Sequence, residues 1–153
     1  MLVFSINACS KKQVEYEAQD LSDPYKIYQE GIVRFEKGDY FNAEKKFTEA
    51  ELNFKVVEFA AKSAIMSSYS LYGINFYSEA NANLERFITQ YPADKNIAYA
   101  HYLIAITLYE KILDERKDIV PLLKSKEKIE FFLKNFPNTE YALDLKFKMD
   151  LIN

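Results

Sequence analysis

FITQYP at residues 87–92 and FLKNFP at residues 132–137 are two copies of one pattern, Phe-[Ile/Leu]-x-x-[aromatic]-Pro. A proline carries no N–H and clashes with the preceding turn, so each copy marks the end of a helix. The two aromatics lie four positions apart and therefore on the same helical face. A helix end repeated in this way marks a chain assembled from similar helical units.

Working outward, Ala80 stands twelve positions before Pro92. The same frame laid on the preceding stretch collects Gly31, Gly38, Asp39, Tyr40, Ala43, Phe47 and Ala50. Small residues where two helices close, aromatics in the gap and a turn glycine make a tetratricopeptide-like pattern, in which each unit is a pair of antiparallel helices. The frame predicts helices from about Pro24 to Lys37 and Tyr40 to Phe54, then from about Val57 to Gly73 and Tyr77 to Gln90. Gly38 and Asn75 occupy the turns, Asn because it tolerates the left-handed conformation. Asp23 is suited to cap the first helix and Pro24 to open it. Lys55 stands where a closing proline would be, which predicts a longer or differently bent connection after the first unit.

A third unit begins near Asn96, but Pro92 and Pro137 are 45 positions apart, whereas such units have a period of about 34 residues. The surplus of about eleven residues is expected as a solvated loop over 112–123, where Asp114-Glu115-Arg116-Lys117-Asp118 forms a charge run and Pro121 a breaker. After Pro137, Asn138-Thr139 can cap a last helix running to Asn153, with Tyr141, Leu145 and Met149 as its apolar stripe. The expected fold is an all-α tetratricopeptide superhelix of about seven helices, three and a half repeats, over 23–153.

Composition agrees. The 153 residues include three glycines and four prolines, are 49% apolar, and have a formal charge of -3. Apolar residues recur at three- and four-residue steps, which reads as helix throughout. No basic stripe of the kind nucleic acids require is present, so no nucleic-acid partner is expected. No apolar run approaches the length of about eighteen residues that a spanning helix needs.

Cys9 is the single cysteine, so neither an internal disulfide nor a thiolate metal cluster can form within the chain. It follows Leu2-Val3-Phe4-Ser5-Ile6-Asn7-Ala8 and precedes a polar segment. This stretch resembles a bacterial lipoprotein signal, with an aliphatic residue three before the cysteine (Ile6) and a small one just before it (Ala8). The resemblance implies that residues 1–8 are the remains of the signal segment and that Cys9 is the lipid attachment site. Ser10 after the cysteine then favours the outer membrane. The competing reading is an ordinary cysteine in a tail. Residues 9–22 look like a flexible tether, with a reach of roughly 20 Å as a coil.

In a tetratricopeptide pair the first helix lines a concave groove. The frame places Tyr25, Tyr28, Ile32, Phe35 and Glu36 there from the first unit, and Lys62, Ile65, Tyr69, Tyr72 and Gly73 from the second. From the third it places Tyr99, Tyr102, Ile106, Tyr109 and Glu110. Tyr28, Phe35, Tyr69, Tyr72, Tyr102 and Tyr109 are the expected peptide-binding set, because aromatic rings offer large contact area at low rotamer entropy. The fifth positions are Tyr28, Ile65 and Tyr102, not the lysines with which some tetratricopeptide domains clamp a terminal carboxylate. His101, the single histidine, is expected to face the helix partner as a packing residue. No catalytic constellation, phosphate loop or metal-ligand spacing is found, so the chain is read as a non-enzyme without cofactors.

Four stretches carry a family resemblance: YQEGIVRFEKGDYFNAEKKF at 28–47, ERFITQYP at 85–92, IAYAHYLIAITLYEK at 97–111 and FPNTEYALDLKFKMDL at 136–151. Together they are similar to the BamD (ComL) family of outer-membrane assembly lipoproteins, from about Asp23 onward. Members carry about five repeats, so the likeness is to the N-terminal part. The resemblance implies a lipid-anchored periplasmic scaffold of the β-barrel assembly machinery, receiving unfolded barrel proteins. It also implies a BamA-like barrel subunit and other members of the complex as partners, a lipid anchor as the only membrane contact, and a place at the outer membrane of a Gram-negative bacterium. A generic tetratricopeptide envelope lipoprotein, or an adaptor for protein–protein interaction, is the alternative.

Overall fold

The computed structural model describes residues 23–114 and 119–153. They form α1 (Pro24–Glu36), α2 (Tyr40–Asn53), α3 (Val57–Gly73), α4 (Tyr77–Gln90), α5 (Ile97–Asp114), α6 (Ile119–Asn135) and α7 (Tyr141–Leu151), with no strand among the described residues. Each helix packs on its predecessor, and α5 also meets α7. The fold is therefore all-α, three successive helix pairs followed by α7.

Local chemistry sets the first boundaries. The Asp23 carboxylate accepts the Tyr25 N–H at 3.0 Å and Pro24 opens α1. Gly38 and Asn75 turn the first two pairs with φ of 74° and 62°, the left-handed region that glycine and asparagine enter most readily. Gly31 lets α2 close on α1: a β-carbon there would meet the Phe47 ring at 2.8 Å.

The repeated motif has a common geometry. Phe87 and Phe132 are fully buried, and the aromatic four positions on, Tyr91 or Phe136, packs on each at 5.5 and 5.2 Å between ring centroids. Full burial of one such phenylalanine is worth about 2–3 kcal/mol. In both copies the N–H of the second aromatic bonds the phenylalanine carbonyl at 2.8 Å, the last helical bond before the proline.

α3 is covered on both sides, by α2 and by α4. Its buried residues are small: Ala60, Ala61, Ala64, Ser63, Ser67, Ser68 and Ser70, with Ile65. Ser63, Ser68 and Ser70 donate to the carbonyls four positions back, so their hydroxyls are satisfied inside the helix.

Four expectations are corrected. Of the stretch 112–123 expected as a loop, residues 112–114 belong to α5 and residues 119–123 to α6, while residues 115–118 of the charge run lie outside the described residues; the two helices are 18 and 17 residues long against 13 and 14 in the first pair. Pro121 is not a breaker there but sits buried in the first turn of α6, where its missing N–H would have had no intrahelical partner. The connection after the first unit is short, residues 54–56, compared with 91–96 after the second. Finally, α7 has no side-chain cap and ends at Leu151, while the Thr139 hydroxyl turns back to the Phe136 carbonyl at 2.9 Å. The expected signal segment, Cys9 and the tether lie outside the described residues.

Candidate functional site

The first helices of the pairs, α1, α3 and α5, are joined by α7 along one face. Phe35 of α1 meets Tyr69 of α3 at 5.5 Å, and Tyr69 meets Tyr99 of α5 at 6.4 Å. Tyr99 in turn meets Tyr141 of α7 at 5.6 Å. Four helices are thus linked by a continuous ladder of rings. Tyr28 joins it through Phe47, which lies 5.4 Å from Tyr28 and 6.4 Å from Phe35. Tyr72 stacks on Tyr69 at 6.0 Å, and Tyr102 stacks on Tyr141 at 4.7 Å.

Five of the six residues expected in the groove are therefore brought into one aromatic system. Tyr109 stands apart from the ring contacts, with the Lys148 ammonium over its face at 5.5 Å. Tyr69 is the most open of the six at 37% exposure; the other five are half-buried, with one edge in the packing. The face is consequently part core and part surface.

Burial raises the phenol pKa of Tyr28, Tyr72, Tyr99 and Tyr102. For Tyr102 the hydrogen bond it donates to Asp144, at 2.9 Å, adds to the effect. These phenols stay protonated at neutral pH and can serve as hydrogen-bond donors, not as bases. Lys62 holds its ammonium 5.4 Å over the Tyr28 ring.

Between α3 and α5 the face sinks into a cavity of about 400 Å³, whose walls include Phe59, Ile65, Met66, Tyr99 and Tyr141, with Lys62 at its rim. Tyr141 was missed by the sequence frame, which stopped at the third unit. Carrying the same spacing of aromatics onto α7 is the signal that finds it.

His101 packs between Phe131 of α6 and Phe136 beyond it, at 5.0 and 5.5 Å, away from the ladder, as expected of a packing residue. Burial, and then the nearby Lys128, hold its pKa below the ordinary 6.5. Among the described residues no three His, Cys, Asp or Glu side chains converge to hold a metal. None of the described helices is long and apolar enough to cross a membrane.

The sequence model of the family described as YfiO, outer membrane lipoprotein, matches residues 20–153. Similar curated proteins are named outer membrane protein assembly factor BamD. The chain is 34% identical to that of Rickettsia prowazekii over 149 residues, 97% of this chain and 58% of the relative. It is 33% identical to that of Caulobacter vibrioides over 127 residues, 83% of this chain and 42% of the relative. Over 163 residues it is 26% identical to that of Pasteurella multocida, 99% of this chain and 61% of the relative. The chain thus spans about half the length of the relatives it matches.

Proposed function

This chain belongs to the YfiO family of outer-membrane lipoproteins, and from that premise we propose that it is a lipid-anchored periplasmic scaffold of the outer-membrane β-barrel assembly machinery. In this reading its aromatic face holds unfolded outer-membrane proteins, and the chain engages partner subunits, among them a BamA-like barrel subunit. Cys9 carries the acyl anchor, residues 9–22 tether it, and the scaffold performs no catalysis and needs no cofactor.

The observation that carries the reading is the ring ladder from Phe35 through Tyr69 and Tyr99 to Tyr141. An extended segment laid across four helices would find apolar ring surface at each step, with phenol donors for its backbone carbonyls. The 400 Å³ cavity beside Tyr99 is large enough for one aromatic side chain. The names of the relatives support the assembly role.

The test is the binding of a labelled peptide of alternating apolar residues with a terminal phenylalanine, followed by fluorescence anisotropy. Tyr69→Ala combined with Tyr102→Ala should weaken it about tenfold or more, as expected for two aromatic anchors. Equal binding by the double variant, with its helicity intact, would overturn the reading. Mass spectrometry of the N-terminus of membrane-extracted protein tests the anchor: acylated Cys9 is expected, and an unmodified Cys9 would remove it.

A further inference from the structure

On the other side of α3 from the ring ladder, α2 and α4 flank a groove of about 810 Å³ that peptide capture on the aromatic face leaves unused. Apolar side chains stand open at its ends: Phe41 at the start of α2 (51% exposed), Phe76 just before α4 (47%) and Leu52 near the end of α2 (80%). Its floor is polar and fixed. Arg86 binds Glu51 through both terminal guanidinium nitrogens, and Ser67 of α3 is bonded to both Thr48 of α2 and Asn83 of α4 at 3.0 Å. Two polar bridges therefore hold the walls apart at a set width, so the groove exists before any partner arrives.

The charge of the groove is one-sided. Arg86 is neutralised by Glu51, which leaves the carboxylates of Glu44 and Glu79 as the unbalanced charges of the lining. Glu44 takes the hydroxyls of Thr48 and Ser67 on Oε1 alone, and Glu79 has no partner among the described residues. Lys45, outside the lining, holds its ammonium over the Phe41 ring at 4.2 Å. Cross-linking of neighbouring repeats accounts for Glu51, Arg86, Thr48, Ser67 and Asn83. It uses only one oxygen of Glu44, and it accounts for neither Glu79 nor the three open apolar side chains.

We infer that this groove docks a basic amphipathic helix of a partner protein. The flanking helices are 14 residues each, so the trough is about 20 Å long and takes three to four helical turns. The partner's apolar residues, spaced at three, four and seven positions, meet Phe41 and Phe76 at one end and Leu52 at the other. Its lysines or arginines face Glu44 and Glu79. Because the surface is separate from the aromatic face, both partners can be held at once.

The experiment uses the full chain and a fluorescein-labelled Leu/Lys amphipathic peptide of about fourteen residues, matched to the trough, beside its Leu/Glu counterpart. Anisotropy should show binding of the Leu/Lys peptide that weakens as salt rises, and none of the Leu/Glu peptide. Glu44→Gln with Glu79→Gln should weaken it up to roughly tenfold, the sum of two partly exposed ion pairs. Leu52→Ser, at a site too exposed to affect folding, should weaken it as well, whereas Tyr69→Ala on the opposite face should leave it unchanged. The proposal is overturned by any of three results: no binding of the Leu/Lys peptide, full affinity in the Leu52 and double-carboxylate variants, or loss on Tyr69→Ala.

Discussion

Arg86 of α4 holds Glu51 of α2 through two hydrogen bonds, Nη1 to Oε1 at 2.6 Å and Nη2 to Oε2 at 2.8 Å, across 35 positions of sequence. Tyr91 donates its hydroxyl to the same carboxylate at 2.9 Å. Glu51 is buried, at 7% exposure, and the side chain of Arg86 is 38% exposed. One carboxylate thus joins the first helix pair to the second and to the motif aromatic that closes it.

Removing that carboxylate leaves a guanidinium and a phenol without their partner. Glu51→Ala should lower stability by about 2 kcal/mol, less than for a fully buried pair because water still reaches Arg86. Tyr91→Phe should cost about 1 kcal/mol, the usual net value of one hydrogen bond. Urea denaturation with an unchanged slope checks both values; a midpoint for Glu51→Ala equal to that of the wild type would show that the pair contributes nothing.

Gly31 and Gly38 should respond to alanine for different reasons. At Gly31 the new β-carbon meets the Phe47 ring at 2.8 Å, and the cost of about 1–3 kcal/mol from overpacking outweighs the helix propensity gained. Shortening the ring with Phe47→Leu in the Gly31→Ala background should relieve part of that loss. Gly38 has open space around it, so Gly38→Ala costs only the left-handed backbone, about 1 kcal/mol, and no second change on a neighbour rescues it. Thermal unfolding of the three variants separates the two mechanisms.

His101 gives the fold a dependence on mild acid. Its pKa is lowered on folding, first by burial and then by Lys128, so below 6.5 the unfolded chain binds the proton more readily than the folded one. Its neutral form therefore contributes fully above 6.5, and stability falls as the pH drops through the window below that value. His101→Gln should flatten that part of the stability profile, measured by denaturation at a series of pH values. A slope identical to that of the wild type would remove His101 as its source.

The tyrosines set the alkaline limit. Tyr91 is pushed up to about 12 by burial and by its bond to Glu51, and Tyr99 and Tyr102 are raised by burial as well. Each contributes stability that is complete below 10 and is lost as the pH climbs from there toward the folded pKa, because the unfolded chain ionises first. Ultraviolet titration of the twelve tyrosines should show a late group that ionises together with the loss of helical circular dichroism. Ionisation of all twelve at ordinary pH with helicity intact would contradict this.

Much of the fold could be read from local signals. The Asp23 cap, Gly38, Asn75 and the two Phe-x-x-x-aromatic-Pro endings fix where chains turn through short-range sterics and hydrogen bonding, and α3 and α4 begin and end where the frame placed them. The stretch 112–123 was ambiguous, because a charge run and a proline beside apolar residues read equally as a loop or as two helix ends; residues 112–114 close α5 and residues 119–123 open α6. Pro121 was ambiguous in the same way, since a proline breaks a helix in its interior and is tolerated in its first turn.

The aromatic face was legible as a set of positions, because first helices of successive pairs share one register. Which rings touch, that Tyr141 completes the ladder, and that Tyr109 leaves it for Lys148 follow only from how the pairs are stacked. The groove between α2 and α4 was not legible at all. Its parts come from distant stretches of chain: Glu51 is bonded directly by Arg86, and Thr48 meets Asn83 through Ser67 of α3. By itself the sequence determined the helix pairs and their spacing, since these rest on contacts within a few residues. Only the tertiary structure decided which surfaces remain open and charged, because exposure and pairing depend on the rotation and distance between helices that no local pattern encodes.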